Sequence, residues 1–212
     1  DSLLAAGHAV RVLDQSPEQY RPPLDDVDYR TGQFEDARAL EAALAGIDTV
    51  VHLVSTTVPS TSNKDPRADV EGNLLPTLAL LDMMIRQRVN RLVFFSSGGT
   101  VYGNTRDALV AETAPVQPIG SHAIVKLAIE KYLHMYDKLY GMEYITLRVA
   151  NPYGERQGHL GVQGVIGTFM NRLHAGRSLE IWGDGSVERD YVYVADVARA
   201  CQLAIDSDAH GI

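Results

Sequence analysis

Cysteine is almost missing from this 212-residue sequence. The single Cys201 excludes an internal disulfide and any zinc site built from several thiolates. Positive charge is also scarce: 19 Lys and Arg stand against 27 Asp and Glu, for a formal charge of −8. With no clustered basic run, phosphate neutralisation along a nucleic acid has no support. No apolar run approaches the roughly 20 residues of a membrane-spanning helix, and no signal-peptide pattern opens the chain. His134, His159, His174 and His210 show no ligand spacing, so no metal is expected. What is present is ordinary globular composition, 45% hydrophobic and 22% charged. The expectation is a soluble, cytoplasmic α/β protein.

Both ends read as cut from something longer. Residues 1–7 look like the last turns of a helix closed by Gly7, and a helix that short is marginal alone. Residues 8–14 then alternate into a strand. Strand signals follow at 27–32, 48–54, 92–95 and 144–149, with weaker ones near 179–182 and 191–194. Helical signals lie between them. Asp36 caps a helix running to Gly46 with Leu40 and Leu44 on one face, and a second spans 67–88 with Pro76 expected to kink it. Its stripe reads Val70, Leu74, Thr77, Leu78, Leu81 and Ile85. A third runs from 124 to 140, burying Val125, Ala128, Ile129, Tyr132, Leu133 and Tyr136, and further helices lie near 165–175 and 196–205. Strand–helix alternation predicts a doubly wound parallel sheet, Rossmann-like, with ligands outside the carboxyl ends of the strands.

The chemistry-bearing residues sit at those ends. Asp14 closes a strand where an acid can hold the ribose hydroxyls of a bound nucleotide, although a turn-initiating Asp fits equally well. The glycine-rich loop that should precede such an acid is not in the sequence ahead of it. Ser96-Ser97-Gly98-Gly99-Thr100-Val101-Tyr102-Gly103 releases hydroxyls and glycines at the end of a buried strand, a place to hydrogen-bond a substrate hydroxyl against a closely approaching ring. Downstream, His122 and Lys126 stand at i and i+4 on one helix face. His52, inside a buried strand, reads as a satisfied core residue, and Cys201 as a small hydrophobe of the last helix.

These pieces together resemble an extended short-chain dehydrogenase/reductase of the NAD-dependent epimerase/dehydratase family, in its nucleotide-sugar 4-epimerase branch. The matching stretches are DTVVHLVS at 48–55, Asn73, FFSSGGTVYG at 94–103, Pro118 with Lys126, LRVANPYGERQ at 147–157 and GDGSVERDYVYVADVA at 183–198. The resemblance implies a dinucleotide-binding domain over 1–150, lacking its first strand and glycine-rich loop, and part of a substrate region over 151–212. It implies NAD as cofactor, contacted by Asp14, Gln33, Phe34, Leu53, Asn73 and Lys126. It implies a nucleotide-sugar substrate held by Tyr102, Asn151, Arg189 and Tyr191, with Arg189 gripping the diphosphate through its planar fork. A surface ion pair with Glu188 or Asp190 is the plainer alternative for Arg189. A homodimer formed through the helices at 67–88 and 124–140 is also implied.

The departures are specific. The family's Tyr-x-x-x-Lys stands here as His122-x-x-x-Lys126, and the usual bridging Ser or Thr is Gly98, leaving Ser97 or Thr100 to substitute. Gln33 takes the place of an adenine-contacting Asp. A histidine beside a lysine cation stays neutral near pH 7 and can act as a base. Three readings follow: a working histidine enzyme, an altered or impaired one, and a nucleotide-sugar-binding protein without turnover. A dehydratase needs an acid and a base at the strand end, where this chain offers Gly98-Gly99-Thr100, so epimerase is preferred over dehydratase, keto-sugar reductase or decarboxylase.

Overall fold

Short apolar strands between amphipathic helices can bury two faces only by stacking helices on either side of a parallel layer. The computed structural model of the chain describes residues 1–105, 109–157, 164–181 and 183–212; His159 and Trp182 lie outside them. The order is α1 (Ser2–Ala5), β1 (Val10–Asp14), β2 (Val27–Thr31), α2 (Ala37–Leu44), β3 (Thr49–His52), α3 (Pro59–Ser62) and α4 (Pro66–Asp69). A π-helical turn (Val70–Leu74) leads into α5 (Leu75–Gln87), β4 (Arg91–Ser97), α6 (Ser121–Tyr140), β5 (Glu143–Val149), β6 (Asn151–Tyr153), α7 (Val165–His174), β7 (Tyr191–Tyr193) and α8 (Val194–Asp206).

Every strand pair is parallel, in the groupings β1–β2, β3–β4–β5 and β6–β7. Among the described residues β1 and β3 do not pair with each other, so the main layer consists of two pieces. One core joins them. Leu13 of β1 and Leu40 and Leu44 of α2 pack with Leu80, Leu81 and Met84 of α5, Leu92 and Phe94 of β4, and Val125, Ile129 and Leu133 of α6. Val93 and Ile145 face the other side, against Cys201 and Ala204 of α8. The alternation along β4 explains why Leu92 to Phe95 form an unbroken apolar run: both faces of the strand are covered there.

Several expected features hold as written. Asp36 caps α2 by accepting the Arg38 N–H, and Gly141 ends α6 in the left-handed region at φ 69°. The 67–88 segment differs from its expectation. Helical backbone runs through it without a break, but a π-turn lies between α4 and α5, immediately before Pro76. Of the expected stripe, Thr77 and Leu81 are buried and Leu74, Leu78 and Ile85 pack against the core, whereas Val70 is 37% exposed; Asp69, Asn73, Leu80 and Met84 are buried as well. The strand expected near 179–182 is also absent over 179–181, and β6 at 151–153 was not foreseen.

His52 is a core residue, 3% exposed, stacked between Phe34 and Phe94 with ring centroids 5.2 and 5.7 Å away. Its Nε2 lies 2.9 Å from Thr77 Oγ1, whose own proton goes to the Asn73 carbonyl, so Nε2 carries the hydrogen of a neutral ring. Burial, with the nearby Lys126 cation, pushes its pKa down to about 3. The unfolded chain binds this proton below about pH 6.5 and the folded chain does not, so stability declines as pH falls between those values. Denaturant unfolding at pH 7 and pH 5 is expected to show the wild type losing about 2 kcal/mol more than His52→Gln. Equal losses would refute this.

Candidate active site

β4 delivers its last residues to the carboxyl end of the layer, where the chain must turn without colliding with β5. The Gly98 N–H donates to the Val149 carbonyl at 2.8 Å, and a Cβ built on Gly98 would lie 2.5 Å from the Arg148 carbonyl oxygen. Glycine is therefore required at 98 by close backbone approach. The neighbours supply the hydroxyls instead: Thr100 Oγ1 donates to Ser97 Oγ at 2.7 Å, leaving the Ser97 proton to be passed on. Gly98→Ser is accordingly expected to destabilise by about 1–3 kcal/mol through overpacking, and not to raise activity. A melting curve checks it, and an unchanged Tm would contradict it.

Opposite this turn, α6 begins at Ser121 after Gly120, which has no side chain to cap it. The caps come from far back in the chain. Asn63 Oδ1 accepts the Ser121 N–H at 2.8 Å, and Ser62 Oγ accepts the His122 N–H at 3.1 Å. The Ser121 hydroxyl in turn donates to Asp69 Oδ2 at 2.6 Å. These contacts fix His122 at the rim of a cleft of about 230 Å³, which also takes in Ser62, Asn63, Gly99, Thr100 and Asn104. The lining offers hydroxyls and amides, and among its residues only His122 ionises.

One turn along, Lys126 is buried, its Nζ donating to the Phe95 carbonyl at 2.9 Å and lying 4.9 Å from the Phe94 ring centroid. Burial lowers its pKa to about 8, against the opposing pull of Asp69. It therefore remains mostly cationic at pH 7. His122 is held below the ordinary imidazole value by burial first and by Lys126 second, with Asp69 acting the other way. The site presents a neutral imidazole beside an ammonium.

The remaining candidates fall in three groups. Asp14 is exposed at the end of β1, with one carboxylate oxygen accepting the Ser16 N–H; Gln33 is exposed after β2; Leu53 is 62% exposed after β3. Phe34 stacks on His52 in the core, and Asn73 is buried with its amide engaged by Thr56, Thr57 and Asp69. Tyr102 accepts a hydrogen bond from Arg148 at 3.0 Å. Asn151 and Tyr191 pair across β6–β7, and Arg189 beside them is exposed, its guanidinium donating to the Glu188 carbonyl. The structure thus brings His122 and Thr100 to one cleft, with Ser97 behind it on Thr100 and Lys126 buried one helical turn from His122, while Asn151 and Tyr191 lie on another sheet with Arg189 beside them and do not line this cleft. Asp69, Ser121, Ser62 and Asn63 were not singled out from sequence. The available signal was Asp69, an acid four residues before Asn73 on the buried side of a helix.

The profile of the NAD dependent epimerase/dehydratase family matches residues 1–212. The UDP-glucose 4-epimerase of Mycolicibacterium smegmatis is 36% identical over 208 residues, 94% of this chain and 66% of its own length. The structure of Thermotoga maritima UDP-glucose 4-epimerase with UDP-glucose superposes with a TM-score of 0.90 at 34% identity, covering 96% of this chain and 67% of that one. The Thermus thermophilus UDP-glucose 4-epimerase complex with NAD gives 0.90 at 35%, covering 99% and 70%. The chain spans 52% and 66% of the length of two curated relatives that it matches.

Proposed function

Because the chain belongs to the NAD-dependent epimerase/dehydratase family, we propose that it carries the reacting centre of a nucleotide-sugar 4-epimerase in which His122 is the acid–base group. The observation that supports this most is the convergence of His122 and Thr100 on one cleft whose other lining groups are uncharged. A sugar hydroxyl entering there meets the Ser97–Thr100 hydroxyl pair and a neutral imidazole. His122 takes the hydroxyl proton as the sugar carbon is oxidised and returns it when the carbon is reduced on its other face. The Lys126 charge stabilises the negative charge that develops on that oxygen during each transfer.

The residues fit NAD over part of its length. Lys126 has an ammonium with three donors and one acceptor in contact, Asp14 stands exposed at a strand end, and Leu53 offers an apolar surface after β3. These would hold the nicotinamide ribose, the adenosine ribose and the flat ring edge; no residue is assigned to the pyrophosphate. When bound, NAD supplies a reversible hydride acceptor. Arg189, with most of its donors uncommitted, would grip the substrate diphosphate, with Asn151 and Tyr191 beside it. A homodimer is supported by Ile124, Leu139 and Tyr140, all more than half exposed on α6.

The test is conversion. The full-length protein with NAD and UDP-glucose should yield the C4 epimer, followed by the proton signals of the sugar ring. Binding without any product would favour the turnover-free binding protein instead.

A further inference from the structure

Asp69, the last residue of α4, is 0% exposed, yet its carboxylate meets three uncharged donors and no cation. Thr57 Oγ1 at 2.7 Å and Asn73 Nδ2 at 2.8 Å share Oδ1, and Ser121 Oγ lies 2.6 Å from Oδ2. The amide orientation is fixed independently: Asn73 Oδ1 accepts the Thr56 backbone N–H at 2.8 Å, so Nδ2 must face Asp69. Such a cluster is costly to bury unless its charge does something. It stands against the first turn of α6, the positive end of that helix, next to the residue that carries the reaction.

An acid–base group that works in both directions must hold a proton as well as release it. Beside Lys126 alone, a protonated imidazole would be too acidic to do so. We infer that Asp69 is a positioning residue for His122: through Ser121 its carboxylate fixes the first turn of α6 and supplies the negative charge that balances Lys126. This rests on the acid–base reading of His122. Among the described residues, the charged groups acting on His122 are Lys126 from its own helix and Asp69 from α4. α3 and the cleft-lining stretches beside it contribute Ser62, Asn63, Thr100 and Asn104, none of them charged.

The test uses Asp69→Asn and Ser121→Ala in the full-length protein, reading the His122 titration by the NMR shift of its ring proton, assigned by its loss in His122→Ala. Asp69→Asn is expected to lower the midpoint by about half a unit to one unit, and Ser121→Ala, which keeps the charge but unties it, by less. The acid limb of kcat should move to lower pH with it, at unchanged KM, which a merely structural loss would not produce. If Asp69→Asn fails to fold, the Ser121→Ala midpoint decides. A midpoint within about 0.2 unit of wild type in the folded variant overturns the inference. A wild type that titrates normally but shows no acid limb defeats the acid–base reading of His122 instead, and leaves the Asp69 shift to stand or fall on the NMR alone.

Discussion

His122→Ala is expected to lower kcat by about 10²–10⁴-fold while leaving NAD and nucleotide-sugar affinities within a few-fold of wild type. The size follows from what is removed. Thr100 and Ser97 remain to hold the substrate hydroxyl, and Lys126 remains to stabilise its oxyanion, but among the described residues no other ionisable group lines the cleft. The sign of the pH dependence follows from the lowered imidazole pKa, whose causes are burial and then Lys126. The neutral ring is the base, so wild-type activity should be level near pH 7 and fall only once the pH is on the acid side of the ordinary imidazole value. That limb should vanish from the residual activity of His122→Ala. His122→Tyr tests the competing account: a wild type without turnover that gains it with a phenol at 122 would show that the histidine had replaced a catalyst and not become one.

The largest effect on stability is expected from Glu130. Its carboxylate and the Arg148 guanidinium are 2% and 5% exposed, joined by Nε–Oε1 at 3.1 Å and Nη2–Oε2 at 2.6 Å. Ser96 adds a hydrogen bond to Glu130 at 2.5 Å, and Arg148 continues to Tyr102 and the Glu112 carbonyl, both at 3.0 Å. The network ties α6, β4 and β5 to the stretch that follows the Gly98 turn. Removing one partner leaves the other charge buried and uncompensated, which costs about 3–5 kcal/mol. Glu130→Ala should therefore be strongly destabilised in denaturant unfolding. Replacing the pair together, Glu130→Leu with Arg148→Met, should recover much of that loss, because two apolar side chains leave no orphan charge. A double variant as unstable as the single one would contradict this account.

The sequence was most legible where one physical rule acted alone. The apolar runs of β3, β4 and β5, the Asp36 cap and the Gly141 stop each follow from burial or backbone geometry within a few residues. The pairing of His122 with Lys126 on one face of α6 follows from helical spacing. The motif at 96–103 carried the site as far as its hydroxyls, but not the 2.5 Å approach of the Arg148 carbonyl that forces glycine at 98. What pattern reading missed depends on contacts between distant segments. The caps on α6 come from 58 and 60 residues earlier. The π-turn at 70–74 leaves no mark in the apolar spacing, and Asp69 and Asn73 are buried polar residues beside the expected stripe, where a hydrophobic pattern does not point to them. Glu130 reads as an ordinary surface position until Arg148 is placed against it.

One measurement bears on the proposed chemistry more directly than any variant. A UDP-sugar carrying deuterium at C4 of the hexose, incubated with the full-length protein and NAD in ordinary water, should give the C4 epimer with its deuterium retained. Retention is expected because bound NAD would take this hydrogen as hydride and give the same one back, while only the hydroxyl proton passes through His122. Loss of deuterium to solvent in the product, or firm binding of the labelled sugar with no epimer formed, would contradict the account.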